Sequence, residues 1–280
     1  MSSVNGRSKP KPATKTPAAT QSPGKVNLDK GALDKVTLDK VSVEELSRRL
    51  HPALVDFDKT FSYYLGYPVA EEDLRQYLED PIGSLPAEVL TMLPKIGLIL
   101  VPHMEKGTTR GIATVVYEKP AEAKLMLSAA VKTDSFATLF FTIKDEQVSD
   151  YHYYFFEEVG ALIADRIPEK ANNDFQRLLR EELSAEVHGE VDERSWHLKQ
   201  SLLRRPMAAR KDSKPFRDYA RQSFVDTMTL YLHGICCDID VETGPRQLPS
   251  RYLRKRLEAL KALFPPPEGH AVFPEDLKIR

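Results

Sequence analysis

Residues 153–169 read YYFFEEVGALIADRIPE and lie a short way past a segment with the composition of a β-strand. On a 3.6-residue wheel, His152, Phe156, Val159 and Ile163 share one face, while Asp150, Tyr154, Glu157, Glu158, Ala161 and Asp165 share the other. Periodicity alone therefore predicts an amphipathic helix over 149–166, with one face in a core and an acidic face in solvent.

Upstream, the hydrophobic period shortens. KIGLILVPH (95–103) and GIATVVYEK (111–119) flank MEKGTTR, a pattern that predicts a β-hairpin, and DSFATLFFTI (134–143) predicts a third strand. Downstream the pattern is helical at 171–204, with a break near Gly189, and again at 213–234 and 250–264. A small mixed sheet followed by a helical C-terminal half is an α+β arrangement. Before the sheet, Ser42 and Glu45 stand at capping-box positions. Leu54, Phe57 and Phe61 follow at helical spacing as far as Gly66-Tyr67-Pro68, and a short helix is expected over 70–79. The expected organisation is a leader at 1–41, a helical region at 42–94, an α+β domain at 95–264 and a tail at 265–280.

The leader begins with five basic residues, four prolines and no acidic residue in its first 25 positions. Such a segment buries too little apolar surface to offset its ordering entropy, so disorder is expected. Leu28, Leu33 and Leu38 then recur every five residues, a step that stacks on neither a helix nor a strand; a spacer or a short docking motif are the two readings.

Composition excludes several classes. The 280 residues carry a formal net charge of −1, so no global field favours nucleic acid or an anionic membrane. Cys236 and Cys237 are the only cysteines and are adjacent. Vicinal residues rarely form a disulfide, and a structural zinc site with four Cys/His ligands is not written here. No apolar run is long enough to span a bilayer, and no apolar signal segment opens the chain. The expected location is the cytoplasm, or export without a cleaved signal. Walker, G-x-G-x-x-G and G-x-S-x-G motifs are absent.

FFEEVGALI (155–163) resembles the active-site helix of the zincin metallopeptidases, lethal-factor-type enzymes among them, with a degenerate His-Glu-x-x-His motif. In those enzymes two histidines one turn apart hold zinc, and the intervening glutamate activates the bound water. Here Glu157 and Ala161 fall on the two histidine positions and Glu158 on the catalytic glutamate. A second stretch, QSFVDTMTLY (222–231), resembles the helix that supplies the third ligand, with Asp226 at the ligand position and Tyr219 seven residues before QSFVDTMTLY's Asp226, where some members place an oxyanion-stabilising tyrosine.

The resemblance implies a zincin-like fold with Glu158 and Tyr219 as vestigial catalytic positions and Glu157 and Asp226 as vestigial metal positions. With neither histidine position filled by histidine, the resemblance does not carry zinc hydrolysis with it, because Ala161 has no donor and carboxylates prefer hard cations. The expectation is a protein with no cofactor that acts by binding a protein or peptide. A basic leader on a compact domain would also suit a bacterial effector.

Two other readings stand beside it. One is an interaction module without enzyme ancestry, binding acidic partners, acidic lipid or nucleic acid through basic stretches 202–217 and 250–264, the latter through Arg251, Arg254, Lys255 and Arg256. The other is a hydrolase rebuilt around Glu157, Glu158 and Asp226. Elsewhere, His152 is expected as a buried core histidine and His188 on a surface helix. LHGICCDID (232–240) is expected to end a helix with half-buried cysteines, a soft-metal or redox site being the alternative.

Overall fold

The computed structural model describes residues 40–107, 112–204, 212–237 and 246–276. All of them belong to one compact unit, Gly31–Arg280. The expectations for the leader, for most of its leucine spacer and for the middle of 202–217 lie outside the described residues.

The architecture is α+β, with two sheets and a helical C-terminal half. The larger sheet runs in the order β2 (Val55–Asp56), β3 (Phe61–Leu65), β4 (Lys95–Val101), β9 (Phe136–Thr142), β8 (Ser128–Lys132). Its centre is parallel: Phe61 pairs with Ile96, and Lys95 with Phe136. Parallel strands covered on both faces read as continuous apolar runs, and Leu98 to Val101 are fully buried accordingly. β8 closes one edge, antiparallel to β9.

One face of this sheet, through Phe61, Tyr63, Ile96, Leu98, Leu100, Leu139 and Phe141, packs on the helical half. The other face, through Tyr64, Ile99, Val101 and Phe140, packs on helix α1 (Val43–Leu50) and the smaller sheet. That sheet orders β1 (Val41–Ser42), β6 (Ala113–Val116), β5 (His103–Lys106) and β7 (Leu125–Met126). The protein is thus layered, with the larger sheet in the middle.

Several local expectations need correction. Ser42 does cap α1, its Oγ accepting from the Glu45 N–H at 3.3 Å, but α1 stops at Leu50 before His51-Pro52. Phe61–Leu65 is a buried strand instead of the end of a helix, so 42–94 contributes to the central sheet. The short helix expected to stop at 79 continues: α2 (Glu71–Leu74) passes through a π-helical turn at Arg75–Glu79 into α3 (Asp80–Gly83), and α4 (Ala87–Met92) follows. The hairpin is β5–β6, because Pro102 separates β5 from β4, which belongs to the other sheet. Residues 265–276 are docked: Phe273 is buried, with Arg254 and Lys261 over its ring.

The C-terminal helices are α5 (Val148–Ala164), α6 (Glu169–Ser184), α7 (Glu193–Leu203), α8 (Lys214–Cys236) and α9 (Ser250–Leu263). α5 and α8 run antiparallel in close contact: Arg221, early in α8, pairs with Asp165 after α5 at 2.7 Å, while Cys237 just past α8 meets His152 near the start of α5. Their crossing depends on Gly160, where an added Cβ would lie 3.3 Å from the Val225 carbonyl and 3.5 Å from Met228.

Candidate functional site

β8 "SAAVK" is a short, small-residue strand with β9 on one side and, among the described residues, no strand on the other. Thr142 N–H donates to the Leu127 carbonyl and Thr133 N–H to that of Phe136, which fixes the phase of the ladder. Hydrogen-bonded and non-hydrogen-bonded pairs alternate. Ala129 and Val131 therefore bond to β9, while Ser128, Ala130 and Lys132 turn their backbone N–H and C=O groups outward. Among the described residues none of those outward groups has a backbone partner.

This edge opens into a cleft of about 1300 Å³. Leu127–Lys132 run along it; Ile112, Lys119, Pro120 and Glu122 line one side, and α5 and α8 the other. The α5 wall consists of Tyr154, Glu157, Glu158 and Ala161, and α8 adds Arg221, Gln222 and Val225. The helix read from the sequence thus places its acidic face on this cleft.

Both glutamates are half-buried. Glu158 accepts a hydrogen bond from Ser128 Oγ at 3.1 Å, which joins the helix wall to the edge strand. Burial raises its carboxyl above the usual range, and Lys132 and Ser128 only partly oppose that. Glu157 forms an ion pair with Arg194. It too is raised, by burial first, with Arg194 opposing and the Glu158 charge adding to the rise. A pair of carboxylates that both resist ionisation is suited to accepting hydrogen bonds or a cationic group from a ligand.

Asp226 lies behind this wall, only 4% exposed, close enough that the Glu157 charge acts on it. Gln222 donates to its Oδ1 at 2.6 Å, and Oδ2 has no hydrogen-bond partner among the described residues. Burial pushes its carboxyl up to about 7. Asp226 therefore does not line the cleft, although it stands next to a residue that does.

Tyr219 is elsewhere. Its hydroxyl donates to Glu190 inside a fully buried cluster with Arg256, Glu182, Lys199 and Ser223. Arg256 donates to both Glu182 oxygens and to Glu190, and Lys199 Nζ lies 3.2 Å from Glu190 and 2.8 Å from the Gly189 carbonyl. Burial alone would raise Glu190, but Arg256, Lys199 and Tyr219 hold it at about 2. Gly189 supports the cluster through its left-handed backbone (φ 79°), since a Cβ there would lie 2.1 Å from the Gln247 carbonyl.

The basic stretch on α9 is correspondingly not a free basic face. Arg256, expected among the solvated contacts, is 0% exposed. Lys255 pairs with Glu181, Arg254 with Glu258 and Glu275, and exposed Arg251 stacks on Tyr252. The signal was available in the sequence: Arg256 follows Leu253 by three and precedes Leu260 by four, so it belongs to the apolar stripe.

The sequence singled out Glu157 and Glu158 on α5 but missed β8, whose alanines carry little β-propensity. No helix among the described residues is long and apolar enough to cross a membrane. No protein-family model, curated protein or solved structure matches the chain.

Proposed function

We propose that the chain is a non-catalytic, zincin-like protein that binds an extended peptide segment along β8. The observation carrying this reading is the outward-facing backbone of Ser128, Ala130 and Lys132 at the edge of a large cleft. An added strand would gain main-chain hydrogen bonds from these groups, and alternate side chains would reach the α5 wall. Glu157 and Glu158 would then accept hydrogen bonds from donors on the peptide.

The vestigial metal reading fits this role better than hydrolysis. Ala161 supplies no ligand, Asp226 is set behind the wall, and Tyr219 is committed to Glu190. The reading through basic helices has less support, because Arg254 and Lys255 already have acidic partners.

The test is selection of binders from a displayed peptide library, followed by measurement of the best peptide against Ala130→Pro. Proline there removes an outward N–H while leaving the β9 ladder complete, and edge positions tolerate it. Loss of binding with retained fold is expected. Unchanged affinity would place the peptide elsewhere.

A further inference from the structure

On the far side of α5 from the glutamates, three metal-ligating side chains meet. His152, near the start of α5, and His233 and Cys237, one turn apart at the end of α8, place one ligand atom each within 4.8 Å of one another. His152 Nδ1 lies 3.2 Å from Cys237 Sγ, and its Nε2 lies 2.7 Å from the Gln76 carbonyl. A carbonyl accepts only from an N–H, so Nε2 carries the proton and Nδ1 turns its lone pair toward the sulfur. An imidazole held through its second nitrogen by a backbone carbonyl is the arrangement that orients metal-binding histidines.

From these three side chains we infer that the protein has a Zn²⁺ site of His152, His233 and Cys237, independent of the peptide cleft. Zinc takes imidazole nitrogen at ~2.0–2.1 Å and thiolate sulfur at ~2.3 Å in a tetrahedron, whose edges are then about 3.3–3.6 Å. The His152–Cys237 separation is already of that size. The remaining contraction, at most about 1.5 Å on the same geometry, falls on His233 and Cys237, both half-exposed and at the end of a helix.

Cys237 binds as thiolate, so its Sγ–H proton leaves to solvent as the Zn–S bond forms. Cys236, whose sulfur lies 3.2 Å from that of Cys237, is not among the three ligands. Three protein ligands leave the fourth position to water, as in zinc sites that exchange a ligand. The hard-oxygen vestige at Glu157 and Asp226 plays no part.

The test uses the untagged full chain, stripped with a chelator and kept reduced, titrated with Zn²⁺ and with Co²⁺ as a spectroscopic substitute. One equivalent of zinc should bind and raise the melting point by several degrees. The cobalt form should show a thiolate charge-transfer band and the visible absorption of a tetrahedral site. Loss of a second-sphere partner costs ~10–100-fold in affinity, so Cys237→Ser and His233→Gln should each cost more than about 100-fold. Cys236→Ser should retain both stoichiometry and the cobalt band. Absence of stoichiometric binding by the wild-type chain would overturn the assignment, as would a cobalt spectrum without the thiolate band. Folded Cys237→Ser protein that binds zinc as tightly as wild type would overturn it equally; the wild-type cobalt spectrum decides the matter if the variants do not fold.

Discussion

Ser128 Oγ donates to Glu158 Oε1 at 3.1 Å, linking the open edge of the central sheet to the acidic wall of the cleft. Because Ser128 belongs to a non-hydrogen-bonded pair with Phe141, its backbone faces outward while its side chain reaches α5. The same residue therefore turns main-chain groups outward and positions one of the glutamates beside them.

The ladder phase makes a paired prediction for β8. Ala130→Pro removes an outward N–H and should shift the melting point by only a degree or two. Ala129→Pro removes a bond to Phe140 and should cost at least ~1 kcal/mol, the order of one buried backbone bond left unmade. Thermal melting of the two variants checks this, and a larger loss from Ala130→Pro than from Ala129→Pro would mean that the ladder has the other phase.

Asp226 and Glu190 should give stability opposite pH dependences in separate windows. Asp226 is raised to about 7, so the native state holds a proton that the unfolded chain has released, and stability falls as pH rises from about 4 to 7. The full effect is on the order of 4 kcal/mol. Asp226→Asn should remove that fall. Glu190, held at about 2, contributes stability present above the ordinary glutamate range and lost as pH drops toward 2. Urea unfolding between pH 3 and 8 distinguishes the two; a decline between pH 4 and 7 that survives in Asp226→Asn would assign it to another group.

Arg256→Ala should be severely destabilising. Removing the cation leaves Glu182 and Glu190 buried with only Lys199 to compensate, and breaking a buried pair from one side costs ~3–5 kcal/mol. Exposed Arg251→Ala should cost less than about 0.5 kcal/mol, as is usual for surface substitutions. Denaturant midpoints at constant slope provide the comparison.

Introducing two imidazoles on α5 tests the proposed zincin-like relation. In a Cys237→Ser background, Glu157→His with Ala161→His places two histidines one turn apart beside Asp226. A zincin-like relation requires this variant to gain zinc-dependent thermal stability that Asp226→Ala abolishes, with Asp226 turning out from behind the wall to reach the metal. A zinc response indifferent to Asp226 would separate the two motifs.

Legibility from sequence followed the length of each periodic pattern. α5, α8 and β9 were readable because a long amphipathic period or a dense apolar run has one favoured form. β3 was misread because Leu54, Phe57 and Phe61 happen to stand three and four apart, although Pro52 already ends α1 and FSYYL is too short for periodicity to decide. The His152–His233–Cys237 cluster was only half visible. His233 and Cys237 are spaced by one turn, but their partner is distant in sequence, and only the α5–α8 packing brings it near.

The cluster around Arg256 draws one residue or more from α6, the 189–192 segment, α7, α8 and α9; its two cations and two anions come from four of these, and α8 adds the hydroxyls of Tyr219 and Ser223. Releasing any of the four charged segments leaves charge stranded in an apolar interior, and releasing α8 takes the Tyr219 and Ser223 hydroxyls from Glu190, so partial opening of this half carries a penalty close to that of opening all of it. The helical half should accordingly come apart in a single step, with amides of α6, α8 and α9 exchanging with solvent at a common rate instead of fraying helix by helix.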